Sequence, residues 1–211
     1  MQKGRPNVGS APHGTPRPAG RLGRRPVTTA AELTHVAIRL FRDQGFEATT
    51  VDDIAAAAGI GRRTFFRYFP SKNDVLWGDF DQRLAELRDF LRRQPPSRPL
   101  MAVLRAAVLE FNRLPPEEVH WHRERMRLLL YVPALQAHSI LRYAAWRNVI
   151  AEYAAERLGM RPDDHPPQAI AWALLGAALS AYEQWLRHED ADLARLLEAG
   201  LDMLQSGFAL G

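Results

Sequence analysis

Three helix-start signals fall between residues 29 and 74, and they constrain this chain more than any other feature. Thr29-x-x-Glu32, Thr50-x-x-Asp53 and Ser71-x-x-Asp74 each put a hydroxyl at an N-cap and an acid three residues later. In that arrangement side chain and backbone satisfy each other's open donors. The stops are equally regular. Leu33, Val36, Ala37, Leu40 and Phe41 follow the first cap at helical spacing, and Gly45 is expected to end that helix in a left-handed conformation. A second, short helix is predicted over 51–58, closed by Gly59, with Ile60-Gly61 as the turn. A third is predicted from about Arg62 to Phe69, where Pro70 ends it, and a fourth, longer one from Ser71 to about Arg93.

The rest of the chain keeps the helical period. Helices are expected near 100–113, 117–131, 138–159, 167–188 and 190–207, with breaks at Pro115-Pro116, Val132-Pro133, the 161–167 loop and the corner at 188–190. No alternating Val/Ile/Thr run suggests a strand, so the fold class is all-α. The expected architecture is an N-terminal three-helix helix-turn-helix domain and a C-terminal helical bundle for ligand binding and dimerisation. Residues 1–26 hold five Pro, five Gly and six Lys/Arg with no acid, and are expected to form a disordered basic arm. Residues 27–72 then form the DNA-binding domain, and 73–211 the ligand and dimer domain.

Composition narrows the function. With no cysteine, a disulfide framework, a thiolate zinc site and a catalytic thiol are excluded. The longest apolar run, Ala169 to Leu179, is interrupted by Gly176 and falls well short of the roughly 18 residues a bilayer span needs. The start lacks the apolar region of a secretory signal, so no membrane partner and a cytoplasmic location are expected. Residues 1–72 carry 12 Lys/Arg against 5 Asp/Glu, whereas the remainder carries 16 against 19. A polyanion partner is expected for the basic third alone.

The chemistry concentrates between Thr49 and Lys72. A capped helix, a Gly-containing turn and a second helix describe a helix-turn-helix whose second helix enters the major groove. On a helical wheel Phe65, Phe66 and Phe69 share one arc and are expected to anchor the helix, leaving Arg63, Thr64, Arg67 and Tyr68 on the other side. Gly61, Arg62, Arg63 and Thr64 stand at the end that reads bases, where Arg pairs with guanine and the Thr methyl meets thymine. Thr50 and Lys72 are placed for phosphates. Arg24 and Arg25, at the end of the arm, suit a minor groove.

The order of residues here resembles the DNA-binding domain of the TetR family of bacterial transcriptional regulators. The resemblance lies in Phe41-Arg-Asp-Gln-Gly45-Phe46, in Thr49-Thr50-Val51-x-x-Ile54-Ala55-x-x-Ala58-Gly59-Ile60, and in the run from Thr64 to Lys72. Phe66 stands where Tyr is usual, and Tyr68 replaces a usual His. Arg125-Met-Arg-Leu, the run 132–139, Leu141-Arg-Tyr-Ala-Ala-Trp146-Arg and Ala181-Tyr-Glu-Gln-Trp-Leu186 look like the branch of that family tied to the mycofactocin system. The resemblance implies a repressor, a homodimer on a pseudo-palindromic double-stranded operator, and release by a small apolar inducer such as a long-chain acyl-CoA. Gly59-Ile-Gly61 lacks the third Gly of a dinucleotide loop and no Ser or His has a nucleophile context, so no enzymatic activity and no cofactor are expected.

Within the body, Arg123, Arg127, Arg142 and Arg147 form a cluster for phosphorylated head groups, with a solvated helix face as the bland alternative. Trp121, Met126, Leu130, Trp146, Trp172 and Leu175 are the candidate pocket wall, and Leu141 belongs to the same core stripe. Leu175, Leu179, Tyr182, Leu193, Leu197 and Leu204 are the candidate dimer interface. Glu117-x-x-His120 has the half-motif of a bundle di-iron site but no second copy, so no metal is expected. Two rivals stay open: an architectural DNA-binding protein without ligand control, and a helical-bundle enzyme with a basic arm.

Overall fold

A computed structural model describes Met1 and residues 29–207. The arm, with Arg24 and Arg25, lies outside the described residues. All regular structure among the described residues is helical: α1 (Ala30–Gln44), α2 (Val51–Ala58), α3 (Arg62–Tyr68), α4 (Phe80–Arg92), α5 (Leu100–Phe111), α6 (Val119–Tyr131), α7 (Pro133–Leu158), α8 (His165–Arg187) and α9 (Leu193–Gln205). None of these helices is long and apolar enough to cross a membrane.

The first two caps form as the spacing predicts. Thr29 and Thr50 each accept from the backbone three residues on, and Glu32 and Asp53 accept from the cap backbone in return. Gly59 ends α2 in the left-handed region, as expected. Gly45 does not: its φ of 88° is positive, but its ψ of 150° is extended. The chain therefore leaves α1 straight into the loop that carries Phe46 and Thr49, both buried.

The fourth helix differs from expectation. Asn73–Leu76 is a single 3-10 turn, and Gly78 at φ 44° breaks the path before α4 starts at Phe80. The cause is tertiary. The Asp74 carboxylate accepts from Ser71 Oγ at 2.6 Å, and it also accepts from His138 and Arg142 of α7. Pro133, read as a break, instead occupies the first turn of α7, where its missing N–H is no loss.

One contiguous hydrophobic cluster runs through the molecule. Leu33, Ile38, Phe41, Ile54 and Phe65 fill its N-terminal end, and Leu104, Leu129, Leu135, Ile150 and Leu174 its body. The α7–α8 and α8–α9 pairs pack most extensively.

Head and body meet along a narrow seam. On α1, the His35 ring stacks on Trp121 of α6 with centroids 4.3 Å apart and planes 13° off parallel. His35 Nε2 lies 3.3 Å from Glu118, and the Arg39 guanidinium covers Trp121 from 5.7 Å. Thr34 Oγ1 donates to the Val75 carbonyl at 2.9 Å, and Asp74 ties the 3-10 turn to α7.

Candidate functional site

The helix-turn-helix presents a cationic face. Phe65 and Phe69, four residues apart on one side of α3, are buried. Arg63 and Arg67 are exposed, and neither forms an ion pair among the described residues. Phe66 corrects the wheel-based reading: at 44% exposure it does not anchor the helix. It stands one residue round from Phe65, on the flank, with the Arg62 guanidinium 5.4 Å from its ring. Arg62 Nη1 also donates to Asp52 at 2.7 Å, an exposed pair that clips α3 to α2 and holds Arg62 in place. Thr64 and Tyr68 are half-buried. Gly61 caps α3 at φ −82°, with open space where a Cβ would be.

Thr50 is exposed, and its hydroxyl is engaged by Asp53 at 2.6 Å. Lys72 is less available than the sequence suggests. Its Nζ donates to the Phe46 carbonyl at 2.8 Å and the Thr49 carbonyl at 2.9 Å, and it lies 4.2 Å from the centre of the Phe46 ring. An ammonium has three N–H donors, so at least one is left for a phosphate. The side chain serves first to close the loop between α1 and α2 against the end of α3.

Behind this head lies a cavity of about 100 Å³, continuous with solvent at its mouth. Four helices supply most of its wall: Phe80 and Arg83 from α4, His122, Arg125, Met126 and Leu129 from α6, Tyr143 and Trp146 from α7, and Leu175, Ala178, Leu179 and Tyr182 from α8. Leu76, Trp77 and Asp79 close the end beside the head, and Phe111 and Asn112 come from the end of α5.

Of the sequence-chosen pocket residues, Met126, Trp146 and Leu175 line this cavity and six do not. Trp121 is in the seam with α1. Arg123 donates to the Trp185 carbonyl at 2.6 Å and to the Glu189 carbonyl at 3.2 Å, fastening the end of α8. Arg127 pairs with Glu124, and Arg142 bridges Asp74 and Asp81. Leu130 packs on the core from outside this wall. Trp172 is 59% exposed with Arg147 stacked 3.4 Å over its ring, and Leu141 is 71% exposed rather than core.

The reason is rotation along α6. Positions 122, 125, 126 and 129 share one face and turn inward, which carries 123 and 127 to the other side. The cations that face the cavity are Arg125 and Arg83, both passed over in the sequence. The signal was present: Arg125 falls on the same helical arc as Met126 and Leu129.

A hydrogen-bonded chain crosses the cavity wall. Asn112 Nδ2 donates to the Val108 carbonyl at 2.7 Å, which turns Oδ1 toward Tyr182. Tyr182 donates its proton to that oxygen at 2.7 Å, and His122 Nε2 stands 2.8 Å from the phenol. Burial, reinforced by Arg125 and Arg83, drives the His122 pKa down to about 3, so the ring is neutral. Burial pushes the Tyr182 phenol up.

The proposed dimer residues are largely spoken for inside the protomer. Leu175, Tyr182, Leu193 and Leu197 are buried, and Leu179 and Leu204 are partly buried. Trp172, Ala173, Gly176 and Ser180 of α8 and Ala199 and Met203 of α9 are exposed instead, as are the charged Glu183 and Arg195. Intramolecular packing of α8 on α9 consumes the leucines.

Comparison with known proteins bears on both sites. Residues 33–76 match the bacterial regulatory proteins of the tetR family, and residues 98–209 match the MftR C-terminal domain. The chain is 49% identical over 187 residues to a Mycobacterium tuberculosis protein named as the mycofactocin biosynthesis transcriptional regulator MftR, covering 89% of this chain and 94% of that one. It is 30% identical over 201 residues to the regulator TcmR of Streptomyces glaucescens, covering 90% and 89%. Among solved structures, Thermus thermophilus FadR, a repressor in complex with lauroyl-CoA, superposes with a TM-score of 0.54 at 27% identity, covering 86% of this chain and 96% of that one.

Proposed function

The chain belongs to the TetR family of bacterial transcriptional regulators, and from that membership we propose that it represses a mycofactocin-type gene cluster until an acyl ligand releases it. The observation that carries the reading is an apolar cavity whose α6 wall also forms the seam with the DNA-binding head. Residues 27–72 read the operator through Arg62, Arg63, Thr64, Arg67 and Tyr68, with Thr50, Gly61 and Lys72 near phosphates. Arg24 and Arg25 of the arm 1–26 reach the minor groove. Residues 73–211 hold the ligand and the second protomer.

Support for the cluster comes from the 49% identity to the Mycobacterium tuberculosis regulator. Support for the ligand comes from the apolar lining and from the lauroyl-CoA bound by the Thermus relative. An aliphatic chain along Phe80, Leu129, Trp146 and Leu175 gains about 0.8 kcal/mol for each buried CH₂. The test is operator release titrated with acyl-CoAs of increasing length. Potency should climb with chain length until the cavity is full, while free CoA releases nothing. Release by free CoA, or potency independent of length, would remove the acyl ligand and leave the repressor.

A further inference from the structure

The cavity has a polar wall that an aliphatic chain leaves unused. Arg125 lines it from α6, with Nε buried and without a hydrogen-bond partner. No carboxylate of the described residues forms an ion pair with its guanidinium; Asp79 and Glu118 act only from a distance. An N–H shut away from both water and any acceptor is unfavourable, and native proteins hold such a group where something else completes it. Trp77 lines the same cavity, and its indole N–H is also buried and unpartnered.

His122 supplies the complementary polarity. The Tyr182 proton is given to Asn112, so the phenol oxygen accepts from His122 Nε2–H. The ring is neutral, which leaves a lone pair on Nδ1, and that atom too is buried without a partner. Four orphan groups thus belong to residues of one cavity: the donors Arg125 Nε–H and Trp77 Nε1–H, the acceptor His122 Nδ1, and the Tyr143 hydroxyl, which can do either.

We propose that Arg125, Trp77 and His122 form a polar subsite for the acyl group of an apolar ligand: the acyl oxygen accepts from Arg125 and Trp77, and a neighbouring O–H or N–H donates to His122 Nδ1. This rests on the acyl reading above and adds where the head of the ligand sits. Two sources share the chemistry. One is a protonated fatty acid; the other is an acyl thioester of CoA, whose cysteamine amide N–H follows the carbonyl. Arg83 is secondary, because it already donates to the Phe111 carbonyl and stacks on that ring.

The experiment compares the full-length wild-type chain with R125M and R125K. Affinities for lauroyl-CoA, laurate and the apolar fluorophore 1-aminoanthracene are read by fluorescence, and melting is followed without ligand. R125M should melt no lower than wild type, since a buried N–H without an acceptor is gone. It should lose at least about tenfold in affinity for whichever acyl ligand uses the subsite, laurate or lauroyl-CoA, and keep its affinity for the fluorophore. R125K, which keeps the charge without the Nε–H, should fall between the two. If R125M releases the operator with the same acyl-CoA potency as wild type, the subsite is wrong and the acyl reading stands. A lower melting temperature with unchanged acyl affinity makes Arg125 a structural residue. If wild type takes the fluorophore but neither acyl ligand, both the subsite and the acyl reading fall.

Discussion

A single imidazole makes the stability of this protein depend on mild acid. His122 is neutral in the fold with a pKa near 3, whereas an unfolded His titrates near 6.5. Below about pH 6.5 the unfolded chain takes up a proton that the folded chain refuses, so stability rises with pH across the interval from 3 to 6.5. The melting temperature should therefore fall steadily as pH drops from 6.5, by the equivalent of a few kcal/mol before carboxylates intervene. His122→Asn should flatten that slope, and an unchanged slope in the variant would place the titrating group elsewhere. Asp74 acts at lower pH. Burial alone would raise its carboxyl, but bonds from Ser71, Arg142 and His138 outweigh burial and hold it below the ordinary value. Its contribution is present above about pH 4 and lost below it.

Among the elements, α6 is the one with two audiences. Its inner face carries His122, Arg125, Met126 and Leu129 to the cavity, while Trp121 on another face stacks against His35 of α1. A ligand that favours one position of α6 biases the head through that stack, and coupling of this kind is typically worth about 1–3 kcal/mol. Trp121→Ala should leave operator affinity and ligand affinity near their wild-type values yet cut the ligand's effect on operator binding about fivefold or more. Full coupling in the variant would move the route to the Asp74–Arg142 bridge. The same helix shows what the sequence discloses. Thr29, Thr50 and Gly59 act through neighbours three or four residues away, so caps and short helices were legible in the chain. The break at Gly78 was not, because Asp74 is captured by α7, which is distant in sequence. The arginines of the cavity were missed for a related reason. Arg123 and Arg142 read as a cluster along the chain, yet their partners at the end of α8 and at Asp74 exist only once the helices pack.

At the scale of the whole molecule, one recognition helix reads only a few base pairs, so operator specificity needs two copies. We propose that a second protomer packs on the exposed Trp172, Ala173, Gly176 and Ser180 of α8 with Ala199 and Met203 of α9. Ala173→Glu combined with Met203→Glu should give a folded monomer in sedimentation, with operator affinity reduced by at least about a hundredfold. A persistent dimer would exclude this face. The seam between head and body has a different consequence. It is made of few groups: His35 of α1 meets Trp121 and Glu118, Thr34 holds the 3-10 turn at Val75, and Asp74 of that turn is tied to His138 and Arg142 of α7. Most of the cavity lining takes no part in it. Chemical vocabulary and genetic address can therefore drift apart: new side chains at Leu129, Trp146 or Leu175 retune what is sensed without rewriting where the protein binds. A chain built this way is a ready chassis for biosensors, in which the receptor is diversified and the output promoter is kept.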